Sequence, residues 1–247
     1  MSRSRVKIPA ISLFTGAGGL DLGFAREGFE IRVAVEIDPA ACKTLKRNWR
    51  GIGRRLIQKP LEEIRTSELL QIAGLRPGET GVVLGGPPCQ SWCVAGNRLG
   101  LSDPRGRSLL EFCRVVREAA PRTFCLENVP GFLNHHTFEV LKLIEREINW
   151  DPRWQYQLSA QVLNAAEYGV PQVRKRVFVV GWRTPVEFYF PAATHQLQDG
   201  PQREWRAPAV DVSTALRGLP RPDKPSPVAH RVAATIGARN ERWYGRK

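Results

Sequence analysis

Val82-Val83-Leu84-Gly85-Gly86-Pro87-Pro88-Cys89-Gln90 is the stretch that decides how this chain is read. The apolar run predicts a buried strand, and the glycines and prolines behind it force a bend at the strand's carboxyl end. In open α/β sheets ligands and chemistry gather at that end. A thiol placed there, Cys89, is a candidate nucleophile. The alternative is a small buried hydrophobe, which is what most free cysteines are.

Outward from this point, strand-like and helix-like segments alternate over the first 180 or so residues, which predicts a mostly parallel sheet covered by helices. Strands are expected at Ile8–Phe14, Ile31–Val35, Gly81–Leu84, Thr123–Leu126 and Arg176–Trp182. Helices are expected at Gly18–Glu27, with Leu20, Leu22 and Phe24 as apolar positions, and from Pro39 to about Asn48. Further helices are expected at Leu61–Ala73, Ser108–Ala119 and Phe138–Ile148. Past residue 184 prolines punctuate a basic, weakly periodic tail, with one short helix at Val212–Leu219. The chain therefore divides into a catalytic and cofactor-binding part, 1–183, and a Pro/Arg-rich extension, 184–247.

The 247 residues suffice for a sizeable core. No apolar segment reaches membrane-spanning length and the N-terminus has no signal core, so a cytoplasmic protein is expected. The five cysteines form no C-x-x-C pair and only four histidines are present, which argues against a zinc site or a disulfide framework. Lys and Arg total 37 against 24 acids, a net charge of +13 that points to a polyanion, most commonly nucleic acid. One basic cluster spans Lys43, Lys46, Arg47, Arg50, Arg54, Arg55 and Lys59. Another runs from Arg203 to Lys247.

Four further motifs sit at predicted strand ends. Phe14-Thr15-Gly16-Ala17-Gly18-Gly19-Leu20 is a glycine turn that admits a ligand close to the backbone, but it is neither G-x-G-x-x-G nor a P-loop. Glu36 follows the second strand, where a carboxylate can accept hydrogen bonds from ribose hydroxyls, while Asp38 before Pro39 reads as a helix cap. Glu127-Asn128-Val129 offers a carboxyl able to exchange a proton with a substrate nitrogen, or a surface acid. In Gln172-Val173-Arg174-Lys175-Arg176, strand alternation would point Gln172, Arg174 and Arg176 to one side, as an anion clamp or a charged sheet edge.

Taken in order, Phe14-x-Gly16-x-Gly18-Gly19, Glu36, Pro88-Cys89-Gln90, Glu127-Asn128-Val129 and Gln172-x-Arg174-x-Arg176 resemble the cytosine-C5 DNA methyltransferases. Ala95-Gly96, Gly100, Asp103 and Arg105-Gly106 resemble that family's catalytic loop, and Tyr168-Gly169-Val170-Pro171 its approach to the final arginines. The resemblance implies a Rossmann-like fold that binds S-adenosyl-L-methionine. It implies that Cys89 adds to C6 of a cytosine extruded from double-stranded DNA, with Glu127 on the base edge, Arg176 on the cytosine O2, and Arg174 in support. Residues 14–20, Glu36, Ile37 and Pro88 would hold the cofactor, and Gln90, Asn128 and Gln172 would contact the substrate. A restriction-modification setting follows from the same resemblance.

Three departures stand out. Lys59-Pro60-Leu61 occupies the place of an acid at the adenine edge, and Cys93 replaces a serine of the loop. No arginine-bearing or Gly-Asn segment of the kind that closes the family's cofactor site after a target-recognition domain is found before Lys247. The chain thus resembles the larger chain of split enzymes whose smaller chain carries recognition. A truncated product or a non-catalytic binding homologue is the alternative. The related tRNA branch is disfavoured by the lack of its Cys-Phe-Thr motif.

Overall fold

A computed structural model describes residues 7–49, 55–88, 107–133, 137–183, 185, 187–197 and 205–217. The expected apolar runs form a sheet. Its strands are β1 (Ile8–Leu13), β2 (Phe29–Val35), β3 (Leu56–Ile57), β4 (Val82–Gly85), β5 (Thr123–Asn128), β6 (Gln157–Asn164) and β7 (Lys175–Trp182). Their spatial order is β3-β2-β1-β4-β5-β7-β6. The first five run parallel, and β7 lies antiparallel between β5 and β6. With the helices around it, this is the Rossmann-like arrangement expected from the sequence.

The helices are α1 (Gly19–Arg26), α2 (Pro39–Asn48), α3 (Thr66–Ala73), α4 (Arg107–Ala119) and α5 (Thr137–Ile148). Strand alternation splits the core between the two faces of the sheet. Ala10, Ala34, Val82, Leu84 and Cys125 pack with Cys42 and Leu45 of α2. Ile11, Leu13, Val83, Phe124 and Leu126 pack against α3, α4 and α5 through residues such as Leu69, Phe112 and Ile144. Residues buried on both faces explain why these strands read as continuous apolar runs.

Several elements differ from expectation. The segment 61–73 breaks into a 3-10 turn at Leu61–Glu63 and α3, because the chain is extended at Ile64 and Arg65. β6 was not expected: it alternates, with Leu158, Ala160 and Val162 between Gln157, Ser159 and Gln161, but it holds no long apolar run, and β7 supplies its antiparallel partner over all eight residues. β5 continues through Glu127 and Asn128 for the same reason, pairing them with Phe178 and Val177. In α1 the buried residue is Asp21, whereas Leu22 is half exposed.

The described residues of 165–173 and 193–247 belong to a second compact unit. It contains a 3-10 turn at Ala165–Tyr168, a short parallel pair β8 (His195–Gln196) and β9 (Ala207–Pro208), and α6 (Val212–Leu216) capped by Asp211. The ring of His195 packs on Gly169, whose φ of +84° suits glycine.

Arg114 of α4 ties the connection after β3 to the rest of the first unit. Its guanidinium donates to the carbonyls of Leu61 (3.3 Å) and Ile64 (3.0 Å) and to Thr66 Oγ1 (2.9 Å), and pairs with Glu111 at 2.6 Å. Arg114→Ala removes these charge-assisted bonds and is expected to lower the unfolding free energy by about 2 kcal/mol in a urea titration. An unchanged midpoint would contradict that role.

Candidate active site

The strand ends are level. Val35, Leu13, Gly85 and Leu126 are register partners across β2, β1, β4 and β5. The next residues, Glu36, Phe14, Gly86 and Glu127, therefore stand in one row at the carboxyl edge of the parallel strands, about 4.8 Å apart from strand to strand. Gly85 permits this approach, since a Cβ there would overlap the Leu13 carbonyl.

On one side of the row lies the glycine turn. Phe14, Gly16 and Gly18 have φ of +52°, +57° and +85°. The first is strained for a residue with a side chain, and such strain persists only where neighbours fix it. Thr15 N–H donates to Val35 O at 3.1 Å, and Gly18 N–H to Thr15 O at 3.0 Å. Glu36, 9% exposed, clamps the turn: Gly16 N–H donates to its Oε2 at 2.7 Å, and the Ile37 and Asp38 N–H groups donate to Oε1 at 2.9 Å each. A carboxylate offers about four acceptor positions, so one remains on Oε2. Ile37 beside it is 60% exposed, an apolar side chain open to a ring. The Asp38 side chain caps α2 through Ala41 N–H. These groups fit a nucleoside held at the turn.

On the other side, Arg176 Nε meets Glu127 Oε1 at 3.0 Å, with about a quarter of each side chain exposed. A Cβ on Gly86 would stand 3.1 Å from Glu127 Oε2, so glycine keeps space over that carboxylate. Asn128 is turned inward and 4% exposed. Its Nδ2 donates to Pro87 O at 2.9 Å, and its Oδ1 accepts from Val129 N–H at 2.9 Å. It fastens the Gly-Pro bend to β5, a job that the sequence pattern did not distinguish from substrate contact.

Cys89 and Gln90 lie outside the described residues, as does the 91–106 segment. Pro88 is described and exposed at the end of the bend. The alternation expected for Gln172, Arg174 and Arg176 does not apply as drawn, because β7 begins at Lys175. Arg174 instead sits exposed before the strand, its N–H donating to Asn164 Oδ1 at 3.1 Å. Gln172 is exposed in the second unit.

The described cysteines are poor nucleophiles. Burial pushes the Cys113 and Cys125 thiols up to about 12, with the Glu127 charge adding to the effect at Cys125. Burial and the Glu36 charge also raise Cys42. Thiols with raised values stay protonated at neutral pH, and the thiolate is the reactive form. Iodoacetamide at pH 8 should therefore leave Cys113 and Cys125 unmodified in the folded chain and reach them only after unfolding, as read by peptide mass spectrometry. Modification of Cys125 in the folded chain would contradict this.

Asn128→Asp places a second acceptor against Pro87 O unless the new carboxyl holds a proton. Burial and that carbonyl both raise its pKa, so its stabilising protonated form is lost as pH rises. The deficit relative to the parent should grow by about 1–2 kcal/mol between pH 5 and pH 8 in denaturant titrations. A deficit that does not change with pH would contradict the inward donor.

Comparison with known proteins agrees with this edge. The family model for C-5 cytosine-specific DNA methylase matches residues 8–235. The type II methyltransferase M.AquIA of Picosynechococcus sp. is 43% identical over 240 residues, covering 92% of this chain and 94% of that protein. M.FnuDI of Fusobacterium nucleatum is 42% identical over 184 residues, which cover 73% of this chain and 49% of that protein. The chain thus spans nearly all of one curated relative and about half of the other. A solved structure described as a prophage-encoded DNA modification methyltransferase of E. coli superposes with a TM-score of 0.65 at 28% identity, over 87% of this chain and 56% of that one. With the family model matched over residues 8–235 of its 247, the chain belongs to the C-5 cytosine-specific DNA methylases.

Proposed function

We propose that this is the catalytic chain of a DNA (cytosine-5-)-methyltransferase of a restriction-modification system, acting in the cytoplasm and completed by a second chain. The observation that carries the reading is the Glu127–Arg176 pair, set two strands from the glycine turn on one row of strand ends. A base held by the pair and a nucleoside cofactor held by the turn would lie side by side.

S-adenosyl-L-methionine would supply an electrophilic methyl on a sulfonium. Glu36 would accept a ribose hydroxyl through its free acceptor position, Ile37 would cover an adenine face, and residues 14–20 and Pro88 would wrap the rest. Cytosine C5 is too electron-poor to take the methyl unaided. The Cys89 thiolate therefore adds to C6, breaking the C5–C6 double bond and placing the electron pair on C5. Glu127 stabilises the added charge through a proton at N3, and Arg176 steadies O2. After methylation, loss of the C5 proton restores the double bond and expels Cys89. Gln90 and Gln172 remain proposed substrate contacts, with Asn128 acting through the bend and Arg174 through its approach to β7.

The base must leave the duplex to be reached, at about a few kcal/mol. Phosphate contacts can offset that cost. Lys43, Lys46 and Arg47 are exposed on α2 with no ion pair among the described residues, whereas Arg55 faces Glu30 at 3.5 Å. The partner chain is proposed from the resemblance to split enzymes, in which a smaller chain carries recognition. The extension from 184 would lead toward the recognition domain on that partner.

Labelled methyl transfer to duplex DNA should require the partner. Cys89→Ser should lower it at least about a thousandfold while leaving cofactor affinity within about twofold. Full activity of that variant would overturn the mechanism, and full activity of the chain alone would overturn the partner.

A further inference from the structure

The mechanism above leaves one buried acid unused. Asp21, on the first turn of α1 directly behind the glycine turn, is 1% exposed. Its neighbours are the side chains of Ser12, at the end of β1 and fully buried, and Thr15, within the turn and 7% exposed. Neither hydroxyl closes to a hydrogen bond: both carboxylate oxygens, Ser12 Oγ and Thr15 Oγ1 lack a partner among the described residues. Burial raises the carboxyl's pKa and outweighs the opposing influence of Thr15, Ser12 and the Asp21 backbone. Among the described residues no lysine, arginine or histidine contributes to its surroundings.

Buried carboxylates are ordinarily paired, because desolvation costs several kcal/mol and a counter-charge offsets it. Here the described residues supply none. Glu36, the other buried acid of this edge, is satisfied by three backbone N–H groups. Asp21 has only neutral neighbours among the described residues, and one of them, Thr15, belongs to the turn proposed to hold the cofactor.

We propose that Asp21 is a specificity-determining residue for cofactor charge: unpaired behind the glycine turn, it favours the sulfonium cation of S-adenosylmethionine over the thioether of the demethylated product. This rests on the cofactor reading given above. Methyl transfer removes the sulfonium charge, so the same carboxylate that draws the cofactor in holds the product less tightly. A low-dielectric path between turn and carboxylate keeps the effect from being screened as it would be in water.

The test is calorimetric binding of three ligands to the full chain with its partner chain present. They are S-adenosylmethionine, sinefungin, which carries an ammonium near the sulfonium position, and S-adenosylhomocysteine, which carries no charge there. Asp21→Asn should weaken the first two about tenfold and the third less than about twofold. Equal weakening of all three would make Asp21 only a brace for the turn, and no weakening would mean that it is held neutral; either result overturns the proposal. If the Asn variant does not fold, Asp21→Ser is measured with the same expectation. A parent chain that binds none of the three would overturn the cofactor reading itself, and this inference with it.

Discussion

The parallel register of β2, β1, β4 and β5 is the constraint on which the rest of this site depends. It brings Val35, Leu13, Gly85 and Leu126 level. A slip by one residue in any pair would turn a strand's core face to the other side and pull one functional group out of the row. The register is guarded by burial on both faces and by Gly85, where any side chain would collide with the neighbouring backbone. The row is thus fixed by packing well below the site, and the turn residues inherit their positions from it.

β7 adds what a purely parallel sheet could not. Running against β5, it brings its first residues to the carboxyl edge, so that Asn128 stands opposite Val177 and Arg176 reaches Glu127. On the proposed reading, base recognition depends on this reversal. The same pairing extends β5 through Glu127 and Asn128, which makes the acid part of a rigid strand and lets its neighbour hold the Gly-Pro bend. Two residues adjacent in sequence thereby face opposite ways, one toward the pocket and one into the protein.

Much of this was legible in the residues. The apolar runs located β1, β2, β4 and most of β7, and Asp38-Pro39 located the start of α2. Strands that lack a long apolar run were not singled out: β6 alternates at Leu158, Ala160 and Val162 among Gln and Ser, and β3 is two residues long. Glu36 and Glu127 could be picked out because they follow apolar runs, and Arg176 because it precedes one. Asp21 could not, since an acid on the first turn of a helix ordinarily faces water and complements the dipole. Only its 1% exposure in the folded chain reveals it. Asn128 illustrates the same limit, because a motif says which residue is present and not which way it turns.

The account stands or falls on whether Cys89 bonds to the base. Duplex DNA carrying 5-fluorocytosine blocks loss of the C5 substituent, so an attacking thiolate stays attached to C6. With the cofactor and the partner chain present, mass spectrometry should find a covalent protein–DNA complex whose cross-linked peptide contains Cys89. A cross-link at another residue, or no complex under conditions where cofactor and DNA both bind, would contradict it.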